Sequence, residues 1–193
     1  IMLAIRRDMP AVKKKQPVTI SVPVNLRNYY PSETARNFFN SIYVSHVFNG
    51  DETLETLAKE FDEKLKKSLE PENVRQQMEN YQKLETMFII RMAPLLIKQP
   101  VVKFFSRQEA KRVSAVLSNL GRLKPAEEMM KYIRGYNAYC SHDGMFFTIG
   151  SYGDDLMFGI TSAYNNTGAL KNFVRSFTEE GIEAYLYSTE VVR

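Results

Sequence analysis

Two hydrophobic periods coexist in this chain, and together they constrain its fold more than any other feature. Residues 18–24, VTISVPV, alternate apolar and polar side chains and are rich in β-branched residues, the mark of a half-buried strand. Thirty residues later Leu54, Leu57, Ala58, Phe61 and Leu65 recur at the 3.6-residue spacing of an amphipathic helix. A strand buries one face and a helix one stripe, so both need a common core between layers. The expectation is an α/β fold, a mixed β-sheet flanked by helices, formed as a single domain over residues 1–193. A chain of 193 residues buries about 70% of the surface its unfolded form exposes, and needs no covalent staples.

Residues 1–16 begin IMLAIRRDMP and continue through Lys13-Lys14-Lys15; they read as the end of an upstream helix and a linker. Pro23 removes a ladder donor from the first strand and predicts an edge position or the strand's end. A second strand is expected over 41–48, with Asp51 or Thr53 capping the helix that follows. Pro71 suits the first turn of the next helix, over 70–92, and Pro94 and Pro100 are expected to break its apolar end. Residues 101–112 have no clear assignment. Further strands are expected at 113–118, ending in Asn119-Leu120-Gly121, and at 129–139. A hairpin joins 145–152 to 156–163 around Gly153-Asp154-Asp155. A helix over 169–180 faces Leu170, Phe173, Val174 and Phe177 inward and stops at Gly181, before a closing strand at 183–189.

Chemistry-bearing residues are few. Cys140 is the single cysteine, so there is no intramolecular disulfide, and with two histidines far apart no metal site is expected. This usage fits a cytoplasmic location. Cys140 itself reads as a buried structural thiol. His142 precedes Asp143-Gly144 as part of a turn, and His46 lies within a strand. Glycine-rich phosphate loops and a G-x-S-x-G elbow are missing. The net charge is +4, with 26 basic residues interspersed among 22 acidic ones, which argues against nucleic acid as the partner. Aromatic residues, 12% of the chain, are expected in the core rather than on a base-stacking platform. No apolar run reaches the roughly 20 residues of a membrane span.

Three stretches resemble the superfamily of condensation domains and chloramphenicol acetyltransferase, in particular the C-terminal lobe of bacterial alcohol acetyltransferase-like proteins. Val22-Pro23-Val24-Asn25-Leu26-Arg27, followed by Pro31 and Arg36-Asn37-Phe38-Phe39, resembles the strand and loop that open this lobe. Ser118-Asn119-Leu120-Gly121 resembles the turn of the wax ester synthase branch, and the closing order of hairpin, helix and strand matches. The resemblance implies acyl transfer from acyl-CoA, or a carrier-protein thioester, to a small alcohol or amine, with no bound cofactor. The family's His-x-x-x-Asp motif is absent here, so the resemblance implies that catalysis needs a missing N-terminal lobe and that no catalytic residue lies in this chain. It further implies that Arg27 supports the active site by pairing with the motif's aspartate, and that Asn25, Asn37, Ser118, Asn119 and Gly121 line the donor tunnel. An exposed lobe interface would make the chain self-associate, as a homodimer. The alternative is a non-catalytic interaction domain built on the same fold.

Overall fold

A computed structural model describes residues 1–86, 92 and 94–187. Helix α1 (Met2–Asp8) leads through a 3-10 turn at Ala11–Lys13 into strand β1 (Val18–Asn25). Strand β2 (Phe39–His46) returns antiparallel, and helices α2 (Leu54–Leu69), α3 (Pro71–Thr86) and α4 (Leu95–Arg112) follow. Then come β3 (Ala115–Arg122), the short α5 (Glu127–Met130), the hairpin β4 (Met145–Tyr152) and β5 (Asp155–Ser162), and α6 (Gly168–Glu179). Among the described residues the strands form one mixed sheet in the order β2-β1-β3-β4-β5, parallel at β1–β3 and β3–β4 and antiparallel elsewhere. The expected mixed sheet flanked by helices is therefore present.

One face of the sheet carries the core. Val18 and Ile20 of β1, Ile42 and Val44 of β2, Ala115 of β3, and Met145 and Phe147 of β4 meet Met2, Ala4 and Ile5 of α1, Leu57 of α2, and Ala169 and Phe173 of α6. Phe147, Phe158, Phe173 and Phe177 stack edge-on and tilted, with centroids 5.1–5.5 Å apart, a favoured arrangement of ring quadrupoles. Phe147, Phe158, Phe173 and Phe177 thus supply the core, as expected, whereas Phe39 and Tyr43 of β2 are exposed. The predicted stripe of α2 is narrower than its spacing implied: Leu57 is buried, Phe61 and Leu65 pack against the core, and Leu54 and Ala58 are exposed. Thr53 is the cap; its hydroxyl accepts from the Thr56 amide while Thr56 returns a bond to the Thr53 amide.

The hairpin turns on two residues, Gly153 and Asp154, with Tyr152 paired to Asp155 and Gly153 at φ +60°. Gly181 ends α6 as expected, at φ +75°, with its amide on the Thr178 carbonyl and that of Ile182 on Phe177.

Four expectations are corrected. Helix α4 runs through Pro100, which was expected to break it, and absorbs residues 101–112. The proline removes the one bond its own N–H would have made to the Leu96 carbonyl, and the helix continues past it to Arg112. Residues 129–139 hold the end of α5 and irregular chain rather than a strand; Gly135 to Cys140 run along the face of β5, from Met157 to Thr161, and bond to side chains there instead of to a neighbouring strand. Residues 183–187 carry no regular secondary structure, and 188–189 lie outside the described residues. Cys140 is exposed rather than buried. The tail of the predicted second helix, from 87 to 91, also lies outside the described residues; α3 is described to Thr86.

Candidate functional site

The opposite face of the sheet is divided. Over β4 and β5 it is covered by residues 131–141, an irregular strap whose residues 135–140 run along β5 from Met157 to Thr161. The Thr148 hydroxyl donates to the Ala138 carbonyl at 2.6 Å, that of Thr161 to the Cys140 carbonyl at 2.7 Å, and that of Tyr136 to the Gly121 carbonyl at 2.9 Å. Gly150 and Gly159 admit the strap because they have no side chain. A Cβ on Gly150 would meet the Tyr136 ring, and one on Gly159 would meet the Ala138 carbonyl and the Thr148 hydroxyl. Over β1 and β2 this face carries small hydroxyl residues, with Thr19 and Ser45 sharing a 2.8 Å hydrogen bond.

The parallel pair β1–β3 is the irregular part of the sheet. At its start the strands are clamped by Ser114: its hydroxyl accepts from the Thr19 amide at 3.1 Å, and its amide donates to the Thr19 carbonyl at 2.8 Å. Only Ile20 and Ala115, then Ser21 and Val116, are in register; past them β1 continues to Asn25 and β3 to Arg122 without pairing to each other. Two local features end the pairing. Pro23 has no N–H to offer, and β3 bulges between Asn119 and Gly121, where Gly121 takes φ +73° and its amide donates to Asn119 Oδ1 at 2.8 Å. The sequence Ser118-Asn119-Leu120-Gly121, expected to turn the chain out of the strand, is thus a bulge inside β3, which re-forms its pairing with β4 at Gly121 and Arg122. The expectation that Pro23 marks an edge position or the strand's end is corrected: β1 is central and continues to Asn25, and Pro23 is tolerated because the pairing of β1 with β3 has ended before it.

Register pairing of these two adjacent parallel strands therefore stops short of their carboxyl ends. This is where open α/β sheets accept ligands, because loops leave in different directions and unpaired backbone groups face the gap. Among the candidates, Asn25 and Arg27 stand at the β1 side, and Ser118, Asn119 and Gly121 at the β3 side. Strand alternation puts Ser118 on the face of Pro23 and Asn25, and Asn119 on the other face of the sheet. Asn37 lies on the exposed loop before β2, tied to the site by the Leu26 amide on the Phe38 carbonyl.

Arg27 is exposed and organises that loop. Asn25 Oδ1 accepts its backbone amide at 3.0 Å, and its Nη2 donates to the carbonyls of Thr34 at 2.7 Å and Arg36 at 3.1 Å. A guanidinium has five donors. Nε and Nη1 take no partner among the described residues. Tyr29, two residues on, donates to the Leu69 carbonyl at 2.8 Å and anchors the turn to the end of α2.

The opposite end of the sheet holds a charged cluster that spacing alone did not reveal. His46, the last residue of β2, stands with Nδ1 2.9 Å from Glu60 and Nε2 3.4 Å from Glu52. The Asn49 amide, with smaller contributions from the Gly50 amide and His46, holds the Glu52 carboxyl at about 2, against the opposing effect of burial. Glu60 is lowered too, chiefly by Lys64 and then by His46. A carboxyl whose folded pKa is depressed stabilises the fold above its ordinary pKa of 4.5, and that contribution is lost as pH falls from there through 2. Acid titration of thermal stability between pH 4.5 and 2 is expected to show a steeper loss for the wild type than for Glu52→Gln; equal slopes would contradict the assignment. His142 makes only a local bond, its Nδ1 accepting from the Gly144 amide at 3.0 Å, in keeping with a turn.

Among the described residues no group of histidine, cysteine or carboxylate side chains could hold a metal, and no helix is long and apolar enough to cross a membrane. No family model, no curated protein and no solved structure matches this chain.

Proposed function

We propose that this chain is the C-terminal lobe of a two-lobed, CoA-dependent acyltransferase, which moves an acyl group from a thioester to an alcohol or amine. The observation that carries this reading is that β1 and β3 are unpaired with each other beyond Ser21 and Val116. An elongated donor such as pantetheine is rich in amides, and its natural counterpart is a pair of strand edges whose own N–H and C=O groups lack a neighbour. Pro23, Asn25, Ser118 and Asn119 border that gap, and the Asn119 amide nitrogen remains a donor once its oxygen has taken the Gly121 amide.

In this reading the general base sits on the other lobe. It takes the proton of the acceptor hydroxyl or amine, whose oxygen or nitrogen attacks the thioester carbonyl; the carbon–sulfur bond breaks, and the leaving thiolate takes up a proton. The present chain contributes position rather than proton transfer. Arg27, with Nη2 committed to two carbonyls, has Nε and Nη1 left as donors on different edges of the guanidinium, so it would hold a carboxylate from the facing lobe through its charge and a single hydrogen bond. Such a grip orients the catalytic loop.

Calorimetric titration with acetyl-CoA tests the donor half of the reading. Half of a two-walled site is expected to bind weakly, with Kd of about 0.1–1 mM. Asn119→Ala should weaken that binding several-fold, and Arg27→Ala should leave it unchanged while costing the complete two-lobed protein at least about 100-fold in turnover, the scale of a misplaced catalytic group. Absence of heat at millimolar acetyl-CoA would refute the donor site.

A further inference from the structure

The net charge of the chain is localised in one helix. Helix α4 contains Lys98, Lys103, Arg107, Lys111 and Arg112 against the single acid Glu109; the remaining residues hold 21 basic and 21 acidic side chains and are neutral. One side of α4 has a shape as well as a charge. Lys98, Val102 and Ser106 follow one another at four-residue intervals, and with Gln99 and Lys103 they line a shallow, open depression of about 390 Å³. Neither lysine pairs with a carboxylate among the described residues. The opposite charge is gathered at and beyond the end of α6. Residues 176–187 contain Glu179, Glu180 and Glu183 and no lysine or arginine. Arg7 holds Glu179 at 3.2 Å, whereas Glu180 and Glu183 meet no cation among the described residues. The same segment holds Tyr185, Leu186 and Tyr187 in solvent, 76%, 75% and 85% exposed.

We infer that the segment from Glu180 to Tyr187 docks on the Lys98–Lys103 side of α4 in a second copy of the chain, and that two copies exchange these segments across a two-fold axis. Charge complementarity selects the occupant: two ammonium groups without carboxylates meet two carboxylates without cations. The spacings agree. Lys98 and Lys103 stand about 7.5 Å apart along the helix axis, and Glu180 and Glu183 at most about 11 Å apart along the chain. In an extended chain Glu183, Tyr185 and Tyr187 fall on one side, and the Tyr185 hydroxyl already donates to Glu183 at 2.6 Å. That side brings a carboxylate to the ammonium groups and aromatic rings to Val102 and the lysine stems, where the ring faces also attract the cations. Within one chain the two surfaces leave each other exposed, Val102 at 61% and Tyr187 at 85%, so the contact lies between copies. Reciprocal exchange makes each copy donor and acceptor at once and closes the assembly at a dimer. The contact is independent of the acyl-transfer reading.

Sedimentation velocity of the full chain tests it. At about 0.1 M salt a concentration-dependent equilibrium between monomer and dimer is expected; at about 1 M, where the screening length falls from about 10 to 3 Å, the dimer should be at least about tenfold weaker. Lys98→Glu/Lys103→Glu sets like charges against the acidic segment, and Glu180→Lys/Glu183→Lys sets them against α4. Each variant should weaken its own dimer at least about tenfold and leave the circular dichroism spectrum intact. In an equimolar mixture both exchanged contacts join opposite charges again, so a mixed dimer of wild-type strength should form. A wild-type chain that stays monomeric at millimolar concentration, a dimer indifferent to salt and to both variants, or a mixture that remains monomeric would each overturn the inference.

Discussion

Phe147→Ala is expected to cost about 3–5 kcal/mol, a third or more of the stability of an ordinary domain. Phe147 is 1% exposed, at the centre of the core face of β4, with Phe173 of α6 edge-on at 5.2 Å. Removing the ring withdraws its transfer free energy and leaves a cavity between the sheet and α6 that rigid strands on either side cannot close. For a chain of this size the loss lowers the melting temperature by roughly 6–20 °C. Leu156→Ala, an exposed position on β5, supplies the contrast and should stay within about 0.5 kcal/mol. Comparable effects of the two substitutions in thermal or urea unfolding would show that the core does not lie on this face.

Gly159→Ala should be the second most damaging change, although it adds a single methyl. The new carbon would meet the backbone carbonyl of Ala138 and the Thr148 hydroxyl, and neither can move independently: the hydroxyl is bonded to that same carbonyl and to Gly159's own at 3.2 Å. Overpacking and the loss of a buried hydrogen bond together amount to about 2–5 kcal/mol. Much of that is relieved if the strap lifts. Limited proteolysis should therefore cut within residues 131–141 of the variant well before global unfolding. An unaltered cleavage pattern and stability would mean that the strap is not seated on β5 in solution.

The strap also shows what the sequence could not disclose. MMKYIRGYNAY has the alternation of a strand, and nothing local says that its backbone bonds go to side chains of β4 and β5 rather than to a neighbouring strand; that depends on Gly150 and Gly159, which are far from it in sequence. The hairpin, in contrast, was legible because its turn is decided by adjacent residues: Gly153 and Asp154 suit a two-residue loop, and the flanking strands pair with each other. The stop of α6 at Gly181 was legible for the same reason. Helix α4 was hidden by reading Pro100 as a breaker; an interior proline costs a helix about 3 kcal/mol, and this helix runs through it all the same. At the candidate site, Arg27 and Asn119 were found by resemblance and not by spacing. Their surroundings, the Ser114 clamp and the gap it sets off, arise from pairing between strands separated by about ninety residues, and no periodicity within either strand encodes where that pairing ends.

The unpaired end of the β1–β3 pair as the seat of an acyl-CoA thioester is tested most directly by mapping backbone amide chemical shifts during titration of the chain with acetyl-CoA. The account predicts shifts concentrated in residues 22–27 and 117–122, with the amides of β5 unmoved; Pro23 is silent for want of an N–H. Shifts confined to other regions, or none at saturating millimolar ligand, would contradict it.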